Sequence, residues 1–460
     1  VVLYDIFYIG QQGLRASQYG VRTASENVSN VNTPGYHRRE TVLRASGLTS
    51  RGRLRIGHGV EIETTQRILD NTLNRRVRDA ASKSASSGAR SNILARANIT
   101  FGDLLGGGVS TNLDDFFASL DFLASNPQDM TARTNVVGAA QRLSESVNDY
   151  GNEIRALQRE IDPQVDAEVD EANRLAIEIA DLNNKISRSV NPSNDLLDRR
   201  EQLVDQLAQT VGITVIPRDD GAWDVALEGG YTLIAKDRVQ PLRTSAVDGR
   251  LQVEGRDGGG PRDLTSVIRG GELGGLLEAR DEDLQATLEA VNRFVYDLVN
   301  EINARHAGGF GLDGVSGRNL FEAPSSVDGA AANLAVETDI VSDPGRLAAA
   351  SDPARVPGGN GNALSLASLR LDAFMGGQNP ADALRGVLQE FGDRAFSANA
   401  SAESQSTAFA QLQDMRASLS GVSIDEEMTS LMQYQQSYSA AATIIRTADE
   451  LTQEIINLKR

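Results

Sequence analysis

Small and apolar residues recur at alternating spacings of four and three at both ends of the chain. Counting from Leu3, the positions Phe7, Gly10, Leu14, Ser17, Val21, Ala24, Val28 and Val31 keep this rhythm. It places them on one face of a helix as a coiled-coil seam with small-residue gaps. The helix is predicted to end near Asn32-Thr33-Pro34-Gly35, because proline disfavours helix at the residue before it and glycine permits a turn. Near the other end Leu431, Tyr434, Tyr438, Ala441, Ile445 and Ala448 repeat the rhythm, and Leu451, Ile455 and Leu458 continue it after a three-residue slip. Two such ends predict pairing with each other or with neighbouring subunits. Neither seam finds enough partners in the rest of the chain, so both are expected to gain order on assembly.

Between the ends the period changes several times. From Arg53 to Thr65, Leu54, Ile56, Val60 and Ile62 alternate around Gly57-His58-Gly59, which predicts a strand or a bent hairpin. Helical rhythm resumes near Arg67 and breaks at Gly106-Gly107-Gly108, with Thr111 or Asn112 as the next helix cap. Ile161, Val165, Ala172, Leu175, Ile179, Leu182 and Ile186 form a long stripe that ends at Asn191-Pro192-Ser193, and a further helix spans about 194–210. Ile213 and Val215, then Trp223, Val225 and Leu227, alternate around the turn pair Asp220-Gly221. Strands continue to Gly258-Gly259-Gly260-Pro261. Leu284, Leu288, Val291, Val295, Leu298 and Ile302 restore the helix, and the last helices begin near Asn379.

This pattern predicts a mainly α protein, an elongated helical bundle with paired coiled-coil terminal helices and a small β-rich insertion domain. The expected divisions are a terminal inner domain (1–40 with 421–460), an extended connector (41–66), a helical middle domain (67–211 with 271–420) and the insertion (212–270). Residues 307–362, rich in Gly, Ala, Ser, Asp and Pro, read as loops with short elements.

Composition narrows the function. The chain has 460 residues, enough for about three domains. Its formal net charge of −18 opposes nucleic-acid binding through the overall field. The chain has no cysteine, which excludes disulfides, thiolate metal sites and a cysteine nucleophile. No apolar run reaches the roughly 18 residues of a membrane span, so membrane insertion is not expected. The first residues, with Asp5 and no leading positive charge, do not read as a secretory signal.

Candidate chemistry is sparse. Gly309-Phe310-Gly311-Leu312-Asp313-Gly314 spells a dinucleotide fingerprint but follows a helix rather than a strand. His37, His58 and His306 lack helical metal spacing. His306 closes a long helix, where a cation suits the dipole. The pairs Asp114-Asp115 and Glu426-Glu427 lie near predicted helix starts, where acids are favoured. No catalytic residue, cofactor or metal is therefore expected. Arg38, Arg39, Arg44, Arg51, Arg53 and Arg55 cluster after the first helix. They form either a solvated strand surface or a seam that meets acidic faces of adjacent subunits.

Four segments resemble the flagellar axial protein family. Ser29-Asn30-Val31-Asn32-Thr33-Pro34-Gly35-Tyr36 is similar to its shared N-terminal signature. The run Asn194 to Val204 (NDLLDRREQLV) and Gly271 to Leu277 (GELGGLL), the latter followed by Asn303-Ala304-Arg305-His306, resemble central segments of its hook-associated members. Ser420 to Glu427 with Tyr434-Gln435-Gln436-Ser437-Tyr438 resembles their C-terminal signature. The resemblance implies a structural subunit that links hook to filament, with terminal helices in an inner ring and β insertions facing outward. It implies as partners further copies of itself, the hook protein, the next filament-side junction protein, and a cytoplasmic chaperone on the C-terminal helix. It also implies export through the flagellar type III apparatus, without a cleaved leader. Residues 307–400 look short for the family, so an outer domain is expected to be reduced or missing. The residues expected to carry assembly are Leu14, Val21, Val28, Val31, Leu431, Tyr438, Ile445, Ile455 and Leu458, with Asn32, Pro34, Gly35 and Tyr36 setting the turn out of the inner helix. Competing readings are another axial subunit, such as a hook or rod protein, and a peptidoglycan hydrolase of the flagellum.

Overall fold

The computed structural model describes residues 2–51, 54–103, 108–247, 249–258 and 260–458. Arg53, Gly106, Gly107 and Gly259 lie outside the described residues, as do the side chains of Leu3, Arg51, Leu54, Arg55 and Ile56. The chain begins with helix α1 (Val2–Ser29) and ends with α11 (Ile424–Leu458), and these two pack side by side. They run antiparallel, since Asn27 meets Glu427, Gly20 faces Tyr434 and Gly10 faces Ile445.

After α1 the chain turns at Gly35, whose φ of +78° suits glycine. The predicted connector is two antiparallel pairs. β1 (Arg39–Ala45) pairs with β4 (Val60–Arg67), and β2 (Leu48–Arg51) with β3 (Leu54–Gly57). The β1–β4 ladder lies against α1, where the Thr23 and Thr41 hydroxyls are 2.9 Å apart.

The helical body follows with α2 (Asn71–Asp103), α3 (Ser110–Ser125), α4 (Met130–Ser187) and α5 (Asn194–Thr210). α4 has 58 residues, a rod of roughly 87 Å at about 1.5 Å per residue. The Asp129 side chain accepts from the Thr131 amide at its start, satisfying one of the free N–H groups there. Thr111 and Asn112 do not cap α3. The chain is already helical at Val109 (φ −67°, ψ −43°), so both lie within the first turn.

Among its described residues the insertion has seven strands in two sheets. β5 (Ile213–Pro217), β6 (Trp223–Leu227), β7 (Thr232–Ala235) and β8 (Arg238–Val239) form one, in that order. β9 (Arg243–Val247), β10 (Arg250–Asp257) and β11 (Gly260–Asp263) form the other, with β10 central. Val225, Leu233, Ile234 and Val253 are buried in one continuous core with Ile179 and Ile186 of α4 and Leu207 of α5. The Asn183 amide ties the two parts, donating to the Trp223 and Lys236 carbonyls at 2.8 and 2.7 Å.

α6 (Gly271–Glu278) opens on Gly271, where φ is +71° and a Cβ would come 2.4 Å from the Val211 nitrogen, so only glycine fits. A π-helical turn (Ala279–Leu284) leads into α7 (Gln285–Ala307). Segment 307–362 has little regular structure beyond α8 (Thr338–Ser342) and two 3-10 turns, yet it is packed, with Leu320, Phe321, Leu334 and Leu347 in the core. His306 organises it and is not a helix-end cation. Its Nδ1–H donates to the Arg318 carbonyl at 2.7 Å, and Nε2 accepts from the Ala348 amide at 2.9 Å. Burial pushes this imidazole down to about 4, so it is neutral. The dinucleotide-like glycines make tight turns here, where a Cβ on Gly309 would lie 2.2 Å from the Asn362 side chain. α9 (Gly361–Ser368) and α10 (Pro380–Ser420), capped by Asn379, complete the body, and α10 lies along α2.

Candidate functional site

The contact between α1 and α11 is built on small residues. Gly10, Ser17, Gly20, Ala24 and Asn27 are buried on α1, and Ala441 and Ala448 on α11. Gly10, Ser17 and Ala24 repeat every seven residues, as do Gly13, Gly20 and Asn27, and on α11 Glu427, Tyr434, Ala441 and Ala448. Seven residues are about two turns, so each set is a straight line of contact. A Cβ on Gly20 would sit 2.4 Å from the Tyr434 ring, and one on Gly10 2.6 Å from Ile445 Cγ1. The helices are therefore too close for larger side chains at these points.

At the body end of the pair sits Asn27, 1% exposed with every polar position used. Its Nδ2 donates to the Arg39 carbonyl (2.9 Å) and to Glu427 Oε2 (3.0 Å). Its Oδ1 accepts from the Arg39 amide (3.0 Å) and the Tyr36 hydroxyl (2.8 Å). Burial pushes that phenol up to about 12 despite the Arg39 guanidinium over its ring. Arg38 closes the cluster by donating from Nε to Glu427 Oε1 (2.7 Å) and from Nη1 to Glu426 (2.6 Å). One asparagine thus joins α1, β1 and α11.

A second layer fastens this cluster to the body through α5. Asp195, Asp198, Glu201 and Asp205 follow steps of three and four along that helix, so they form one acidic face. Arg39 meets Asp195 and Asp198, and Arg67 of β4 meets Asp198 (2.9 Å) and Glu201 (3.4 Å). Arg78 of α2 meets Glu201 and Asp205, each at 2.7 Å, and Arg416 of α10 meets Asp205 at 2.6 Å. His37 Nδ1 lies 2.9 Å from Asp198. Burial alone would raise the Asp198 carboxyl, but its bonds to His37 and Arg67 outweigh that and hold it below the usual range. On the far side of α5, Arg200 stacks 3.9 Å over Trp223 and donates to the Gly221 carbonyl (2.7 Å). Burial lowers this guanidinium to about 10, with Arg67 adding to the effect.

The arginine cluster therefore divides. Arg38 and Arg39 are neither solvated nor left for adjacent subunits, because acids of their own chain take them up. Arg44 is exposed, 3.6 Å from Glu61. Of the residues expected to carry assembly, Leu14, Val21, Val28, Val31, Tyr36, Leu431 and Ile445 are half-buried, flanking the small-residue seam or its exit. Tyr438, Ile455, Leu458, Asn32, Pro34 and Gly35 are exposed. The spacing rhythm captured Gly10, Ser17 and Ala24 but missed Gly13, Gly20, Asn27 and Glu427. Outside the seam the pair presents large apolar side chains, among them Tyr4 (77% exposed), Ile456 (59%) and Leu458 (85%).

Among the described residues no helix is long and apolar enough to cross a membrane, and no group of three or more His, Asp or Glu is placed to hold a metal.

Comparison with known proteins agrees with this architecture. The family model described as the flagellar hook-associated protein FlgK helical domain matches residues 94–321. That of the flagellar basal body rod FlgEFG protein C-terminal region matches residues 416–458. Flagellar hook-associated protein 1 of Escherichia coli (strain K12) is 25% identical over 97% of this chain and 98% of its own length. The Bacillus subtilis (strain 168) protein of that name is 25% identical over 97% and 96%. The fold is similar to that of the flagellar hook junction protein FlgK from Burkholderia pseudomallei, with a TM-score of 0.67 at 18% identity, over 75% of this chain and 100% of that one. The E. coli alignment spans 538 positions, more than the 460 residues here, so that relative carries insertions. On this evidence the chain belongs to the flagellar hook-associated protein 1 family.

Proposed function

We infer that this chain is a structural subunit of the bacterial flagellum, a hook-associated junction protein that links hook to filament. The observation that carries this reading is the terminal pair, with small residues turned inward and large apolar ones outward. Such a pair is held close by its seam and still offers apolar surface to further helices, which is what self-assembly requires. Its anchor on α5 transmits load from the inner helices to the helical body. The direct test is the composition of purified hook–filament junctions. The chain should be present there, and a strain lacking it should build hooks that hold no filament. Its absence from the junction would refute the reading.

The finer assignments follow from this one. The ring of copies forms through Leu14, Val21, Val28 and Val31 on one helix and Leu431, Tyr438, Ile445, Ile455 and Leu458 on the other. The hook protein contacts one end of that ring and the filament-side junction protein the other. Before export a cytoplasmic chaperone covers the exposed apolar side of α11 by helix-in-groove packing. A pull-down with and without residues 425–460 tests this, and equal chaperone capture by both would place the site elsewhere. Export leaves the chain uncut, so its mass outside the cell should equal its mass inside.

A further inference from the structure

One face of α4 carries charges of both signs, separated along the helix. Arg155 and Arg159 stand one turn apart, and Asp166 and Asp170 repeat that step. Asp166 lies eleven residues beyond Arg155, and Asp170 eleven beyond Arg159. Eleven residues make about three turns, so all four share a side. Arg155 is half-buried and the other three are exposed. Among the described residues none of the four has a hydrogen-bond or ion-pair partner. Nearer the end of this helix some charges pair locally, Arg174 with Glu171 and Glu178, and Lys185 with Asp181.

The arginine end opens on a groove of about 970 Å³, rimmed also by Arg250 of β10 and Arg293 of α7. On its floor the buried Arg280 consumes Asp162 and Asp281. Glu289 and Asp328 are the remaining carboxylates of the lining, so five arginines face four acids. In a chain of net charge −18 this is a local reversal of sign.

The four charges are also symmetric. The midpoint between Arg155 and Asp170 is the midpoint between Arg159 and Asp166, and it falls between Asp162 and Pro163. An antiparallel second copy placed about that point sets every arginine against an aspartate and every aspartate against an arginine. This is the self-complementary arrangement of a two-fold interface.

We propose that this face of α4 docks a second copy of the chain, antiparallel and two-fold symmetric, with Arg155 opposite Asp170 and Arg159 opposite Asp166 in both directions. Arg250 and Arg293 stand beside the incoming acids and strengthen the contact. An isologous contact closes on itself, so the dimer belongs to the free chain and not to the growing axial structure. The contact is short and rests on exposed ion pairs, so it is weak and salt-sensitive.

The test is sedimentation equilibrium of the full chain at moderate salt, up to millimolar concentration. Wild type should show a reversible monomer–dimer equilibrium that 1 M salt dissolves. The double variants R155E/R159E and D166K/D170K should each lose dimerisation by at least about tenfold. An equimolar mixture of the two should regain it, because one surface is then wholly acidic and the other wholly basic. Unchanged melting of each variant controls for folding, and if one unfolds the neutral pair R159Q and D166N takes its place. A wild-type chain that stays monomeric, variants that dimerise as wild type, or a mixture that stays monomeric would each overturn the assignment. None of these outcomes depends on whether the chain is found in flagella.

Discussion

Asn27 shows most directly how one residue organises the terminal pair. Replacing it with alanine strands the Arg39 amide and carbonyl, the Tyr36 hydroxyl and one oxygen of the buried Glu427. Unmet buried polar groups cost about 1–3 kcal/mol each, with partial relief by water. Asn27→Ala should therefore cost about 2–4 kcal/mol, read by denaturant melting of the full chain. Gly20 acts through absence. Gly20→Ala drives a methyl into the Tyr434 ring, and overpacking of that kind costs about 1–3 kcal/mol. It should loosen α11 from α1, seen as faster amide exchange in both helices, while Gly88→Ala, with open space at its Cβ position, should not. Neither Asn27 nor Gly20 stands out in a reading that ranks seam positions by size. The four-three rhythm selects Gly10, Ser17 and Ala24 together with the large residues at 14, 21, 28 and 31, whereas the second line of close approach, Gly13, Gly20 and Asn27, lies one position before the large ones. His306 escaped for a related reason, since only the three-dimensional structure shows that segment 307–362 folds over it.

At the scale of elements, α5 is the hinge between the inner pair and the body, and its acids explain the family-like run from Asn194 to Val204. Their spacing of three and four was visible along the chain, and so was the arginine cluster. What no spacing rule supplies is that the two meet inside one chain, because the contact joins residues some 130–160 positions apart. α4 offers a pH test. Burial, then Glu272 and Glu171, push the Glu168 carboxyl from its ordinary 4.5 up to about 7. A value raised on folding means that this group favours the folded state fully below pH 4.5 and loses that contribution as pH rises through about 7. Glu168→Gln, which cannot ionise, should melt higher than wild type at pH 8 and equally at pH 4. Equal melting at both would show that Glu168 is well solvated. The long helices and the strand turn at Asp220-Gly221 were legible, because periodicity and turn chemistry are local, but α4 ends at Ser187, ahead of the Asn191-Pro192-Ser193 break. The start of α3 was not, since it depends on a backbone already helical before the residues able to cap it.

For the whole molecule, the helical body and its β insertion share one packed core, and the terminal pair, with the β1–β4 ladder against α1, is fastened to it by a polar anchor. The insertion shares its core with α4 and α5, so replacing residues 213–262 with a short Gly/Ser linker should expose Ile179, Ile186 and Leu207 and lower the melting temperature of what remains. Trp223, the sole tryptophan, stacks under Arg200 at that joint, and its emission in the intact chain reports when the joint opens. The pair is different in kind. Near its anchor it is held by buried hydrogen bonds. Towards Tyr4 and Leu458 it has small contacts inside and exposed apolar side chains outside. Helices with so little packing are marginal in water. The decisive measurement is amide hydrogen exchange on the free chain and on the chain within purified junctions. Residues 20–29 and 427–434 should be protected in both. Residues 4–13 and 441–458 should exchange readily in the free chain and become protected on assembly. Strong protection of those outer residues before assembly, unchanged afterwards, would contradict assembly through the terminal helices.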